Sequence, residues 1–394
     1  MDSARTDSCP TPSGESDTWP VQCIAKSSLI SRRFFMKYFF SSRTGIILTG
    51  GVIGIIASLL QYLGNPPNMG ICVACMERDI AGAIGLHRAD IVQYIRPEII
   101  GFVLGAFFIS LIVKEHKPRG GSAPLIRFFL GVFAMIGALV FLGCPWRALL
   151  RLAGGDANAI VGLLGLTAGI SIGVYFLSSG YNLGRAQPQK AFSGWVFPAL
   201  MLGLFLLLIF RVSFAEGAAI FFSQKGPGAM HAAVWISLAA GLIVGIIAQR
   251  SRFCTMGAIR DVVLIRDYHL ISGVAALLVA AFAMNLVLGQ FKMGFEGQPI
   301  AHTDHLWNFM GMALAGLAFL LAGGCPGRQL FLSGEGDLDA GIFALGMIVG
   351  AGIAHNFAMA SSPKGVAAFG PASVIFGLVF CLVIGYAMRD KVKA

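Results

Sequence analysis

Charged side chains are scarce in this chain of 394 residues, of which Asp, Glu, Lys and Arg make up only 12%. Soluble domains carry about 25%. Hydrophobic residues make up 56%, and the mean hydropathy is +0.77. Apolar runs close to the roughly 20 residues that cross a bilayer as a helix recur along the chain. The composition therefore predicts an all-α polytopic membrane protein.

Several other features are missing from the sequence. It contains no Gly-x4-Gly-Lys-Ser/Thr loop, so we do not expect ATP to act directly. The seven histidines form no cluster with a cysteine at helical spacing, so we predict no metal site and no cofactor. The net charge is +10, but the basic residues lie between the apolar runs. We therefore expect membrane lipid as a partner and no nucleic acid.

Ten apolar runs are predicted to span the membrane. They are Gly45–Leu63, Pro97–Val113, Pro124–Leu142, Ala157–Leu177, Trp195–Phe210, Ala229–Ala248, His269–Leu288, His305–Ala322, Leu338–Ala358 and Ala372–Met388. Four further segments are too short or too charged to cross, and we expect half-helices or re-entrant segments shielded by protein. They are Cys72–Leu86, Trp146–Ala153, Cys254–Ile265 and Pro326–Leu332.

Two cysteine motifs occur twice, in the same order and 181 or 182 residues apart. The first set is Cys72, Arg78-Asp79, Cys144-Pro145-Trp146-Arg147 and Gly155-Asp156, and the second is Cys254, Arg260-Asp261, Cys325-Pro326-Gly327-Arg328 and Gly336-Asp337. The pairs Gly165/Gly169 and Gly346/Gly350 repeat at the same offset, and such small residues let helices approach closely. These matches predict a duplicated membrane unit.

The duplication divides the chain into five parts. They are a polar leader (1–43) expected to be disordered, a first transmembrane repeat (44–180), a linker with one transmembrane helix (181–225), a second transmembrane repeat (226–360), and a last transmembrane helix with a basic tail (361–394). Cys9 and Cys23 lie in the leader and receive no role. Met36 opens a segment typical of the start of a membrane protein, which is consistent with the leader being a non-native or misassigned extension.

The distribution of basic residues favours a multi-pass protein with both termini in the cytoplasm. Each repeat then has four spans and the linker has one, so the second repeat starts from the opposite face. The repeats are therefore expected to be inverted, with substrate near the midplane. Cys72 and Cys144 would approach from outside, and Cys254 and Cys325 from inside.

The four repeated cysteines each begin or directly precede a half-helix. Its first amides and positive dipole end suit an anion, and Arg147 and Arg328 add charge three residues later. A thiol is a weak donor and a soft partner for sulfur or selenium. The pattern predicts a pathway for a small anion with a soft chalcogen atom.

Other residues leave alternatives open. Arg78–Asp79 and Arg260–Asp261 line a pathway or form structural ion pairs. Cys75 completes a Cys-x-x-Cys sequence with Cys72 in one repeat only, which raises redox chemistry. Asp156 and Asp337 follow glycine and precede a span, so we expect them to cap helices.

At these motifs the chain resembles the YeeE/YedE family of sulfur-transport membrane proteins, and most closely its selenium-metabolism-associated branch. The resemblance runs from about Met36 to the C-terminus. The strings that carry it are Gly64–Cys75, Glu77–Gly82, Gly143–Arg147, Arg252–Cys254 and Gly324–Arg328. It implies an inverted-repeat permease of the prokaryotic inner membrane for thiosulfate-type anions, with Cys72, Cys254 and Cys325 passing the substrate along and Cys144 as the fourth symmetric position. It also implies a TusA-like soluble sulfur carrier as a cytoplasmic partner.

The leading hypothesis is therefore not an enzyme but a permease for a small sulfur- or selenium-containing anion. The main alternative is a membrane thiol–disulfide oxidoreductase that uses Cys72 and Cys75 with a quinone. Transport of a soft metal ion is a third reading.

Overall fold

The structure, a computed structural model, describes residues 39–389 except 212, 215–216 and 219. Most of the predicted leader, with Cys9 and Cys23, and most of the basic tail lie outside these residues. The described part contains fourteen α-helices. They are α1 (Arg43–Tyr62), α2 (Val73–Ala83), α3 (Pro97–Ile112), α4 (Pro124–Phe141), α5 (Pro145–Ala153), α6 (Asn158–Ser178), α7 (Val196–Phe210), α8 (Val234–Ser251), α9 (Thr255–Ile265), α10 (His269–Val287), α11 (His305–Ala322), α12 (Pro326–Gly334), α13 (Leu338–Asn356) and α14 (Gly370–Ala387).

Strands are confined to two short antiparallel ladders within the described residues. β1 (Arg119–Gly120) pairs with β2 (Gln187–Pro188), and β3 (Ser213–Phe214) pairs with β4 (Gly217–Ala218). One 3₁₀ turn, Ala191–Trp195, leads into α7. The protein is thus an all-α polytopic membrane protein, as the composition predicted.

Nine helices in the described residues are long and apolar enough to cross a membrane by length and composition. The remaining predicted span, Pro97–Val113, corresponds to α3, which has 16 residues and is buried along most of its length. The predicted span Ala229–Ala248 begins later, at Val234. Its first residues are held in non-helical form because Arg96 donates to the Met230 carbonyl at 2.9 Å and the Ala232 amide donates to Asn65.

The four predicted half-helices are α2, α5, α9 and α12. Each starts directly after a motif cysteine. Proline occupies the first position of α5 and α12, where a missing N–H costs nothing and the fixed φ suits a helix. The preceding spans end in left-handed conformations, at Leu142 (φ 66°) and Gly323 (φ 89°). These breaks separate each long helix from its half-helix.

The helix contacts repeat with the duplication. α3 packs on α8 as α10 packs on α1, and α6 packs on α11 as α13 packs on α4. Each pairing joins a helix of the first half to one of the second, so the halves interlock and neither forms a separate domain. The repeated glycines lie at two of these crossings. Gly165 and Gly169 face the backbone at Phe309 and Ala313, and Gly346 and Gly350 face the backbone at Phe128 and Val132.

Loops from one half also close over the half-helix ends of the other. The loop after α10 forms a bridge between Gly294 and Asp156, and the loop after α3 forms a bridge between Arg119 and Asp337. Asp337 caps α13 by accepting from the Ala340 amide at 3.1 Å. Asp156 accepts from the Asn158 amide at 2.9 Å and also pairs with Arg151 at 2.6 Å. The expected capping role is confirmed for Asp337, whereas the N-cap of α6 is Ala157 and makes no side-chain cap bond.

Candidate functional site

Two of the predicted cysteines meet inside the first half. The Cys72 and Cys144 sulfurs lie 3.7 Å apart, and both side chains are buried. Cys72 caps α2 and accepts from the Cys75 amide at 3.4 Å. Cys144 directly precedes α5 and makes no side-chain cap hydrogen bond, so the starts of α2 and α5 meet at the two sulfurs. We call Cys72 and Cys144 the first thiol pair.

The other two predicted cysteines meet in the second half in the same manner. Cys254 caps α9 and accepts from the Gly257 amide at 3.2 Å. Its thiol lies close enough to that of Cys325, the residue before α12, for the two to interact electrostatically. Cys254 and Cys325 form the second thiol pair, which is also buried. Thus four half-helix N-termini converge, two by two, on two pairs of thiols.

Cys75 belongs to the surroundings of the first thiol pair. It is buried, and its sulfur lies 3.5 Å from a terminal guanidinium nitrogen of Arg147. All six described cysteines are free thiols. Cys72 therefore lies beside two thiols: its sulfur is 3.7 Å from that of Cys144, and its side chain also interacts with that of Cys75.

The two motif arginines have different partners. Arg328 forms an ion pair with Glu335 at 3.2 Å. Arg147 is fully buried, and among the described residues it contacts carbonyls and a thiol but no carboxylate: it donates to Leu142, to Ile300 at 3.1 Å, and to the Cys75 sulfur. Its Nε has no partner in the described structure. Arg147 is thus a buried cation at the first thiol pair without a protein counter-anion.

The Arg-Asp dipeptides form ion pairs in both halves. Arg78 binds Asp79 at 2.6 Å, and the other oxygen of Asp79 binds Arg96 at 2.6 Å, with all three side chains buried. Arg260 binds Asp261 at 2.7 Å, but these side chains remain 34% and 15% exposed. A structural role explains both pairs, and the first is a closed three-residue network that the sequence analysis missed because Arg96 lies outside the repeated motif.

An aromatic cluster lies between elements of the two halves. The Trp146 ring is 5.9 Å from those of Phe102 and Phe253 and 6.1 Å from that of Phe331. A side chain at Gly327, the counterpart of Trp146 in the second motif, would touch the indole at 3.0 Å. The Trp146 indole therefore fills the space beside Gly327, where its counterpart has no side chain. Its Nε1 donor is buried and has no partner in the described structure.

A family model described as sulphur transport matches residues 250–380. The thiosulfate transporter TsuA of Spirochaeta thermophila is 32% identical over 112 residues, which are 28% of this chain and 33% of that protein. TsuA of Escherichia coli is 27% identical over 117 residues, 29% of this chain and 32% of that protein. The chain therefore spans about a third of the length of these curated relatives.

A third relative is covered almost completely. An uncharacterised protein of Methanocaldococcus jannaschii is 28% identical over 103 residues, which are 23% of this chain and 98% of that protein.

Proposed function

We propose that this chain is a permease for a small sulfur- or selenium-containing anion of the YeeE/YedE sulfur-transport type, which its similarity to the sulphur-transport family model and to the thiosulfate transporters supports. The anion passes the two thiol pairs without covalent change and reaches the cytoplasm. Thiosulfate is the first candidate because the curated relatives are named thiosulfate transporters. Selenite, a selenosulfur anion and a persulfide share the same chemistry.

The observation that carries this proposal is the unpaired charge of Arg147 beside the first thiol pair. A buried cation is costly unless an opposite charge or several hydrogen bonds compensate it. The carbonyls of Leu142 and Ile300 compensate only in part, and Nε and the neighbouring Trp146 Nε1 keep free donors. A bound oxyanion supplies both the charge and the acceptors.

The thiol pairs suit the soft atom of such an anion. Its charged oxygens accept from Arg147 and from the half-helix amides, and its terminal sulfur accepts weak S–H hydrogen bonds from cysteine. The second thiol pair repeats the cysteines and half-helix starts but not the unpaired arginine, so the anion moves from a charged site to a second pair of thiols. No bond to cysteine needs to form, so we propose transport rather than catalysis.

The directions of the helices support the inverted arrangement of the repeats. Gly50 approaches Gly273, Gly54 approaches Leu277, and the Ser58 hydroxyl donates to the Ala281 carbonyl at 3.3 Å. α1 and α10 therefore run in the same direction. α3 is the next predicted span after α1, so it crosses in the direction opposite to α1. In the duplicated sequence, α10 is the counterpart of α3. α10 is then inverted relative to α3, an arrangement that many secondary transporters use for alternating access about a central site.

The cellular setting is part of the same proposal. Basic residues between spans favour the prokaryotic inner membrane with both termini in the cytoplasm. The second thiol pair then lies toward the cytoplasm, where a TusA-like sulfur carrier would receive the substrate.

Uptake of radiolabelled thiosulfate and selenite into proteoliposomes tests the proposal. Cys72→Ser and Cys325→Ser should each lower uptake at least about tenfold, since one lost contact of 1.4 kcal/mol is enough for that factor. Cys381→Ser is the matched control, because Cys381 is a buried free thiol on α14. Uptake that survives both serine variants would contradict the thiol pathway.

The thiol–disulfide oxidoreductase makes a different demand on Cys75. That activity requires a reducible Cys72–Cys75 disulfide and is lost in Cys75→Ser. The permease keeps most of its uptake in that variant, since the Cys72 sulfur pairs with Cys144.

A further inference from the structure

Glu77 is a buried carboxyl group without a partner. It lies on α2, five positions after Cys72, and is 1% exposed. Neither of its oxygens has a hydrogen-bond partner, and no other described carboxyl group has both oxygens buried and unpaired. The rise of a helix places it about 7 Å along the axis from the first thiol pair.

The fold does not need a carboxyl group at this position. Ile259 occupies the equivalent place on α9, which starts from Cys254 as α2 starts from Cys72. The second half therefore builds the same half-helix with an apolar side chain. Glu77 is an asymmetric feature added to a duplicated element.

No charged group of the surrounding elements neutralises Glu77. α2 packs against α3, α4, α12 and α13. Their ionisable side chains are Glu98, Arg127, Arg328, Asp339 and His355, and those next to Glu77 on or after α2 are Arg78, Asp79, His87 and Arg96. The hydrogen bonds, ion pairs and ring contacts that these nine groups make in the described structure are all with residues other than Glu77.

This isolation favours the neutral carboxylic acid, because an unpaired buried carboxylate is costly. The charged form becomes acceptable only when water or a cation reaches the group. An anion at the first thiol pair, about 7 Å along the α2 axis, would repel the carboxylate and favour proton uptake. Proton binding at Glu77 and anion binding at the first thiol pair are therefore expected to reinforce each other.

We infer that Glu77 is a proton-binding site that couples anion import to the proton gradient, an inference that rests on the proposed transport function. The Glu77 carboxylate takes a proton from hydronium on the outer side and returns it to water on the cytoplasmic side as the anion leaves. No electron transfer and no bond to the substrate is involved. The step supplies a driving force, since an inside-negative potential opposes import of an anion and the sequence has no P-loop for ATP.

The test measures proton and anion movement together in proteoliposomes. Thiosulfate is added outside vesicles that contain a trapped pH dye, and exchange of labelled for unlabelled thiosulfate is followed in parallel. The wild-type protein should acidify the lumen on thiosulfate addition. A one-unit acidic shift outside should raise accumulation up to about tenfold per proton. Glu77→Gln should retain measurable exchange but lose both lumen acidification and the response to the pH gradient.

Ile259→Gln is the matched control, since it places the same amide at the equivalent position of α9, and it should keep proton movement. Lumen acidification by Glu77→Gln in the wild-type proportion would overturn the inference. Wild-type exchange of thiosulfate without any proton movement would overturn it as well, independently of how the variant folds. Absence of exchange in the wild-type protein would instead refute the proposed transport function.

Discussion

Replacing Asp79 by asparagine should destabilise the protein far more than the same change at Asp261. Each oxygen of Asp79 binds a separate buried arginine, Arg78 and Arg96, at 2.6 Å. The variant would leave two buried cations with one neutral amide, and removing one partner of a buried pair costs about 3–5 kcal/mol. Asp261 is 15% exposed and its partner Arg260 is 34% exposed, so solvent screens that pair and its loss should cost about 1 kcal/mol or less.

The two substitutions form a controlled comparison because they make the same chemical change at equivalent positions of the duplicated motif. Unfolding of the purified protein in mixed detergent–denaturant micelles, followed by far-UV circular dichroism, gives both free energies. We expect Asp79→Asn to lose at least about 2 kcal/mol more than Asp261→Asn, the smallest difference between the two ranges. Equal losses would refute the argument that burial of the network sets its contribution.

Three further predictions concern packing, anion affinity and pH. Gly165→Ala should lower the free energy of unfolding by about 1–3 kcal/mol, because the added Cβ would meet the Phe309 backbone. Gly203→Ala on α7 has open space and should be neutral or slightly stabilising. Unfolding of both variants checks this, and equal effects would contradict it. Arg147→Gln should weaken thiosulfate binding about 10- to 100-fold, as expected for the loss of a charged hydrogen bond of about 1.5–3 kcal/mol. Calorimetric titration measures this affinity, and an unchanged value would show that Arg147 does not bind the anion. Burial lowers the pKa of His302, so the unfolded chain binds more protons than the folded protein below about pH 6.5. The free energy of unfolding should therefore fall as the pH is lowered, by at most about 1.4 kcal/mol per pH unit for this group. The pH slope of unfolding should be smaller in His302→Asn, and an unchanged slope would contradict this.

Much of the fold could be predicted from local sequence because the relevant signals are local. Apolar length identified the spans, and cysteine followed by proline located the starts of α5 and α12. The length of α3 could not be read in this way. Hydropathy does not distinguish a helix that faces lipid from one buried by other helices, and α3 is buried along most of its length.

The site was predictable in its residues but not in its pairings. Repetition singled out the four cysteines, yet it did not show that Cys72 meets Cys144 at 3.7 Å, across 72 positions of sequence. Such contacts depend on how the chain returns after three intervening helices and one short strand. The packing of Trp146 over Gly327 also needed the structure, although the substitution of glycine for tryptophan at equivalent positions was a visible signal.

The differences between the halves matter as much as their likeness. Arg147, Trp146 and Glu77 all belong to the first half and all carry buried polar atoms without partners, while their counterparts are the ion-paired Arg328, Gly327 and Ile259. A duplication that served only packing would not need this asymmetry. This asymmetry supports the proposal that the main substrate contacts lie in the first half.

The most direct test of the account is the chemical identity of the label found inside proteoliposomes after thiosulfate uptake, resolved by ion chromatography. The account predicts intact thiosulfate in the lumen for the wild-type protein and for Cys75→Ser, and almost none for Cys325→Ser. Conversion of the label to sulfite or a protein persulfide, or uptake that depends on Cys75 and not on Cys325, would contradict it.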